Sequence, residues 1–240
     1  MEWRQRLAGF DSLEPVGPAL TCWQQTGDMK SKERSKSHEG LVKPRGSLAE
    51  LAAQAKNCKN CDLWRNATQT VFGEGSSRAR IMLVGEVPGN EEDQQGRPFV
   101  GPAGKLMDRL LAEIGIDRRK LYVTNAVKHF KWEERGKRRL HKKPTRSELL
   151  ACVPWLEAEI DVVRPSLVVL LGSTAVEALL GPGVRVLERR GVPIETPSGR
   201  LALPTVHPSS VLRAKDDDRA RQYDLFVADL RVAAELSARR

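Results

Sequence analysis

Long apolar runs are missing from this 240-residue chain. Nothing approaches the ~18 residues that a membrane-spanning helix needs, and Leu167–Leu171 is only a strand's length. The amino terminus also lacks the apolar core of a secretion signal, because Glu2, Arg4, Arg6 and Asp11 fall where that core would lie. These absences predict a cytoplasmic protein with no membrane partner. Cysteine is scarce as well, with four residues, Cys22, Cys58, Cys61 and Cys152. In a reducing compartment so few thiols are metal ligands or free groups rather than a disulfide framework. Nor is the chain basic throughout. Its 40 Lys and Arg against 31 Asp and Glu give +9, but Lys128–Arg146 alone holds nine basic and two acidic residues, a local +7. Residues 1–45 carry +2, so the rest is formally neutral. A generally adhesive basic protein is excluded, and one segment is singled out for a polyanionic partner.

Residues 1–45 show no sustained periodicity and become Lys/Ser/Arg-rich from Asp28 to Arg45. They read as an extension ending in a flexible linker, with Trp3, Phe10 and Trp23 able to dock it and Cys22 a free thiol. Residues 46–240 read as the globular domain. A short helix through Leu48, Leu51, Ala52 and Ala55 leads into Cys58-x2-Cys61. Four β-rich apolar runs follow, Arg80–Gly85, Leu121–Val127, Leu167–Leu171 and Leu201–Val206. Helical patterns separate them. One spans about Ala103–Ile114. Another starts at the Thr145/Glu148 capping box and ends before Pro165, with Pro154 predicted to kink or split it. Two more are predicted over Ser173–Leu180 and Arg219–Leu236. Strands alternating with helices predict an α/β fold, a three-layer α/β/α sandwich around a mostly parallel four-stranded sheet.

In such sheets ligands bind beyond the carboxyl ends of the strands. The first strand ends in Gly85-Glu86-Val87-Pro88-Gly89, with Gly96–Gly104 downstream. This is no phosphate-cradling P-loop, since Gly101 is followed by Pro102 and Lys105 by Leu106. A glycine-rich turn would account for the glycines. Glu86 asks for more, because a carboxylate at the mouth of a buried strand is costly unless hydrogen-bonded or used. Asn125, ending the second strand, is either a turn residue or an amide able to pair with a base edge. His207, ending the last, precedes Pro208, which holds it extended, and adjoins Ser209 and Ser210 as phosphate donors. Cys58, Cys61 and Cys152 give three thiolates, one short of a zinc or iron-sulfur site.

Together Gly85-Glu86-x-Pro88-Gly89, the run GRPFVGPAGKLMDRLL from Gly96, the strand YVTNAVKHF from Tyr122 and His207-Pro208-Ser209-Ser210 resemble the iron-sulfur uracil-DNA glycosylases, related to family 4, over about Ser47–Leu236. Within that superfamily Lys137-Arg138-Arg139-Leu140-His141 resembles the inserted loop of family X, whose members cross-link to DNA after removing uracil. The resemblance implies a fourth cluster ligand, His129, beside Cys58, Cys61 and Cys152. It favours a structural [4Fe-4S] cluster, where spacing alone would equally allow zinc. It implies Phe99 under the uracil ring, Asn125 on its edge, and His207 donating to the carbonyl oxygen that gains charge as uracil leaves. Glu86 would stabilise the oxocarbenium sugar, position water or orient a histidine.

His141 would capture the sugar in place of water. Arg138 and Arg139 would keep it neutral and, with Lys137, hold phosphates. The chain departs from family X at Val87, usually Gln, so a polar contact to the base or to the nucleophile's surroundings is missing, and at Asn90, where an acid is common. The implied function is a monomeric, nucleoid-associated uracil-DNA glycosylase acting on uracil-containing DNA, single strands included, and ending covalently attached through His141. Its rivals are a conventional iron-sulfur glycosylase that releases abasic DNA, and a cluster-bearing DNA-binding module without catalysis.

Overall fold

A computed structural model describes residues 43–136, 138–196 and 199–238; Trp3, Phe10, Cys22, Trp23 and Lys137 lie outside the described residues. Helix α1 (Leu48–Ala55) starts at a reciprocal Ser47/Glu50 capping box, and a 3-10 turn follows over Asp62–Arg65. Then come β1 (Glu74–Gly75), β2 (Ile81–Gly85), α2 (Asn90–Gln95), α3 (Pro102–Glu113) and β3 (Tyr122–Asn125). The basic segment forms β4 (Trp132–Arg135) and β5 (Arg138–His141). The chain continues with α4 (Arg146–Val163), β6 (Leu167–Leu171), α5 (Ser173–Leu180) and α6 (Val186–Arg189). It closes with β7 (Ile194–Glu195), β8 (Leu201–Thr205), α7 (Pro208–Arg213) and α8 (Asp216–Ala238).

The main sheet runs β1-β3-β2-β6-β8-β7. The four predicted strands are its parallel centre, and β1 and β7 add antiparallel edges. The sheet therefore has six strands, not four: two-residue edge strands are too short to carry a periodic pattern.

Strand alternation builds the three layers. Ile81, Leu83, Val169 and Leu203 face α3 and α8, meeting Leu106, Leu110, Phe226 and Leu230. Met82, Val84, Val168 and Leu170 face the other way, onto Leu149, Leu156 and Ile160 of α4 and Val176 of α5. Both faces are covered, which is why these strands read as continuous apolar runs; each fully buried Leu or Val contributes roughly 1.5–3 kcal/mol. A small third core packs Leu51, Ala55 and Cys58 on Phe72, Trp155 and Ala158, fixing the CxxC segment to α4.

Pro154 does not split α4, which runs unbroken for 18 residues. Burial of Leu149, Cys152, Trp155, Leu156 and Ile160 on both sides of the proline outweighs its interior penalty of about 3 kcal/mol. No described helix is long and apolar enough to cross a membrane.

Candidate active site

The carboxyl ends of β2, β3 and β8 bring Glu86, Asn125 and His207 to one end of the sheet, as the parallel order requires. Gly85 lets two of the groups converge. A β-carbon there would meet Asn125 Oδ1 at 2.3 Å and Phe99 Cζ at 2.7 Å, so the glycine leaves room for an amide and a ring to share one pocket wall. Phe99 holds a left-handed backbone, φ 57°, unusual for a bulky residue. Its carbonyl fits only because position 104 is glycine, where a β-carbon would stand 1.8 Å from that oxygen. The Phe99 and His207 rings lie 6.0 Å apart between centroids, tilted by 33°. Among the described residues nothing hydrogen-bonds the Asn125 side-chain amide, which is not an orphaned buried group either; its Oδ1 borders the Gly85 position beside the Phe99 ring. Val87 is buried in the core behind α4 and α5 and offers this space no polar atom.

Glu86 is held by the start of α5: Oε1 accepts from Thr174 N–H at 2.8 Å and from Ser173 Oγ at 3.2 Å. Gly172 permits this approach, since a β-carbon there would touch the Glu86 carboxyl at 2.6 Å. His207 caps α7. Ser209 N–H donates to its Nδ1 at 3.2 Å, and Ser209 Oγ lies 2.8 Å from the same atom. An atom that accepts a backbone N–H is unprotonated, so the neutral ring carries its proton on Nε2. Burial drives the His207 pKa down to about 4, against the pull of Glu86 and with the help of His141 and Arg213. The ring is therefore a neutral N–H donor at physiological pH. Ser210 Oγ donates to the His207 carbonyl at 2.7 Å. Both serine hydroxyl protons are thus spent inside the turn, where the sequence led us to expect phosphate donors.

The KRR-x-H segment is half of a hairpin. In the β4–β5 ladder His141 pairs with Trp132, Leu140 with Glu133, Arg139 with Glu134 and Arg138 with Arg135. Side chains alternate along a strand, so Arg139 and His141 share one face and Arg138 takes the other. Of the two arginines expected to keep His141 neutral, only Arg139 lies on its face of the hairpin. Arg139 is committed to the protein: its guanidinium bonds Asp93 Oδ2 and Asn90 Oδ1, both at 2.8 Å, and lies 5.3 Å from the centroids of both Phe130 and Trp132. Asp93 is fully buried and also accepts from Thr68 N–H and Oγ1. This network clamps the hairpin to α2. His141 tilts over Phe130 at 6.0 Å. Its pKa is lowered, chiefly by desolvation at the cleft, and Arg213 adds to that effect while Glu86 and Glu92 oppose it. Arg213 was missed from sequence; its signal is a cation five residues beyond the His-Pro pair.

Much of the +7 is neutralised within the fold. Lys128 is buried and paired with Glu159, Lys131 pairs with Glu148, Arg139 with Asp93 and Lys142 with Glu133. Among the described residues of this segment, Arg135, Arg138, Lys143 and Arg146 are the cations with no ion pair. They form the basic crest. The Lys128 ammonium also donates to Thr124 Oγ1 and to the Asn125 carbonyl, each at 2.7 Å, which fixes the turn that presents Asn125.

On the far side of this turn, Cys58, Cys61 and Cys152 are free thiols. The nearby Cys152 thiol lowers the Cys61 pKa to about 7, while Cys61 and burial raise that of Cys152. Trp155 Nε1–H points at Cys58 Sγ, 3.2 Å away. His129 has a defined tautomer. Thr70 Oγ1 spends its one proton on the Ala55 carbonyl at 2.8 Å, so it accepts from His129 Nε2, 2.9 Å away. The lone pair then lies on Nδ1, which is buried without a hydrogen-bond partner. Burial lowers the His129 pKa and keeps the ring neutral. No three His, Cys, Asp or Glu side chains among the described residues converge around a single ion. The donor chemistry, three thiols and an orphaned imidazole lone pair, nevertheless suits a thiophilic centre whose ligands meet different metal atoms.

A ring, an unpaired amide and a neutral imidazole at the carboxyl ends of parallel strands define a site for a planar polar ligand. Residues 72–231 match the family model of the uracil DNA glycosylase superfamily, and the chain belongs to that superfamily. It is 40% identical over 179 residues to a type-4 uracil-DNA glycosylase of Thermotoga maritima, covering 74% of this chain and 90% of that protein. A type-4 uracil-DNA glycosylase of Pyrobaculum aerophilum is 36% identical over 173 residues, covering 69% and 85%. A type-5 uracil-DNA glycosylase of Thermus thermophilus is 34% identical over 158 residues, covering 58% and 68%.

Proposed function

We propose that this protein excises uracil from DNA and then bonds to the abasic sugar through His141. The observation that carries the first part is the meeting of Phe99, Asn125 and a neutral His207 at one pocket. A flipped base must be stacked and read on its edge; the ring and the unpaired amide supply those two contacts. As the C1′–N1 bond breaks, its electron pair goes to uracil and charge grows on a carbonyl oxygen. His207 Nε2–H is a donor for that charge and, being neutral, does not first bind a competing anion. Glu86, anchored through Oε1, keeps Oε2 for the cationic sugar.

The covalent part rests on His141, on the same hairpin face as the Arg139 clamp and with its pKa lowered from the ordinary histidine value. One imidazole nitrogen gives its lone pair to C1′, and the ring then loses its other N–H proton, with Glu86 the neighbouring base. Atoms and charge balance without a co-reactant. Cys58, Cys61, Cys152 and His129 Nδ1 are the proposed ligands of a [4Fe-4S] cluster. When bound, it would tie the CxxC segment, the Asn125 turn and α4 together as a structural brace. Zinc is the alternative that iron and sulfide analysis with a visible spectrum would reveal.

Incubation with uracil-containing single-stranded DNA tests the function. We expect a protein–DNA band stable to SDS and heat, lost in His141→Gly with restored release of abasic DNA. Alkali-labile product without the band would leave the conventional glycosylase. Salt-dependent binding with no uracil preference would leave the DNA-binding module.

A further inference from the structure

We propose that Trp64 and Trp132, with Lys59 and Arg65, form a stacking track for unpaired nucleotides that flank the flipped base. The proposal rests on the DNA reading above and says where the strand runs. Aromatic residues make up only 5% of the chain, and a tryptophan at the surface offers a flat face on which a base of any identity can stack. Of the three tryptophans among the described residues, Trp155 is buried on the cysteine segment, while Trp64 and Trp132 are half-buried at the surface.

Both sit among cations. Lys59 Nζ lies 4.7 Å and Arg65 Cζ 5.0 Å from the Trp64 ring centroid. Arg139 covers Trp132 at 5.3 Å, and the Trp132 indole N–H donates to the Asn66 carbonyl at 2.8 Å. That bond joins the hairpin to the end of the 3-10 turn carrying Trp64, two residues from it.

Placement relative to the chemistry comes from register. Trp132 is directly across the ladder from His141, so the two share a hairpin face with β-carbons about 5 Å apart. A strand whose sugar reaches His141 therefore passes Trp132 with its next nucleotide and has the Trp64 cation–aromatic group ahead. Aromatic faces accept any base, and the flanking cations follow its phosphates. Duplex DNA keeps its bases stacked inside, so the track fits a single strand.

The test uses the full-length protein and a uracil-free oligothymidylate, so that excision is not required. Fluorescence anisotropy should show about tenfold weaker binding for Trp64→Ala and for Trp132→Ala. Trp64→Phe should recover most of the affinity, and oligothymidylate should quench the native tryptophan emission. Circular dichroism and the melting temperature control for folding. Wild-type affinity in Trp64→Ala, no quenching, or equal loss for duplex and single strands would overturn the track. If uracil excision persists while those results appear, the track alone fails. If neither uracil-bearing nor uracil-free DNA is bound, the proposed function fails with it.

Discussion

Lys128→Met tests the physical core of the site directly. The Lys128 and Glu159 side chains are 1% and 0% exposed and form an ion pair. Glu159 also accepts from Tyr122 Oη at 3.0 Å, Thr124 Oγ1 at 3.0 Å and Gly73 N–H at 3.0 Å. Its charge raises the Tyr122 pKa further above the level set by burial. Met is close to Lys in volume, so the substitution leaves little cavity and isolates the electrostatic loss. The carboxylate keeps three neutral donors but loses its counter-ion. Breaking a buried pair on one side costs about 3–5 kcal/mol, which for a domain of this size lowers the melting temperature by about 6–20 °C. The double variant Lys128→Met/Glu159→Gln removes the stranded charge while keeping an amide oxygen for Gly73 and Tyr122. It should recover more than half of the loss, a coupling of about 1–3 kcal/mol. Urea unfolding of the four proteins measures this cycle. A single-variant cost below about 1 kcal/mol, or strict additivity, would refute the claim that Lys128 is the counter-ion of a buried Glu159 charge. Because Lys128 also holds the Asn125 carbonyl, uracil excision should fall in the double variant even where stability returns.

Three further outcomes follow from the geometry. Gly85→Ala places a β-carbon 2.3 Å from Asn125 Oδ1 and 2.7 Å from Phe99 Cζ; we expect uracil excision to fall at least a hundredfold, about 2.7 kcal/mol in the barrier, with secondary structure retained by circular dichroism. The depressed pKa of His207, about 4 in the fold against about 6.5 unfolded, means that the unfolded chain binds the proton first. Its contribution to stability is complete above pH 6.5 and is lost as pH falls toward 4. His207→Asn should flatten that part of a stability–pH profile measured by urea unfolding, and an unchanged slope would contradict the neutral assignment. Arg139→Leu strands Asp93, which is fully buried, and frees the hairpin; cross-link yield on gels should drop more than uracil release measured on the same substrate, because His141 loses its fixed position while Phe99, Asn125 and His207 keep theirs.

How far the sequence was legible varies by element. The four parallel strands were legible because each is buried on both faces and therefore apolar along its length. The helices were legible where caps mark them, as at Thr145 and Glu148. The hairpin was not, since Trp132–Arg135 and Arg138–His141 are polar on both sides and their pairing depends on Asp93 and Asn90, more than forty residues away. The small α7 was hidden behind a His-Pro turn, and the two edge strands are too short for any pattern.

The sequence by itself determined which chemical groups stand at the strand ends, because topology fixes that a residue following a parallel strand faces the ligand side. It also determined that basic charge is concentrated in one segment. Only the tertiary structure decided which of those charges remain available. Lys128, a cation in the sequence count, is the buried partner of Glu159, and Arg139 is paired with the buried Asp93. The proton positions on His129 and His207 were decided there too, since a tautomer is set by what the other ring nitrogen meets, and those partners are assembled only when the chain folds.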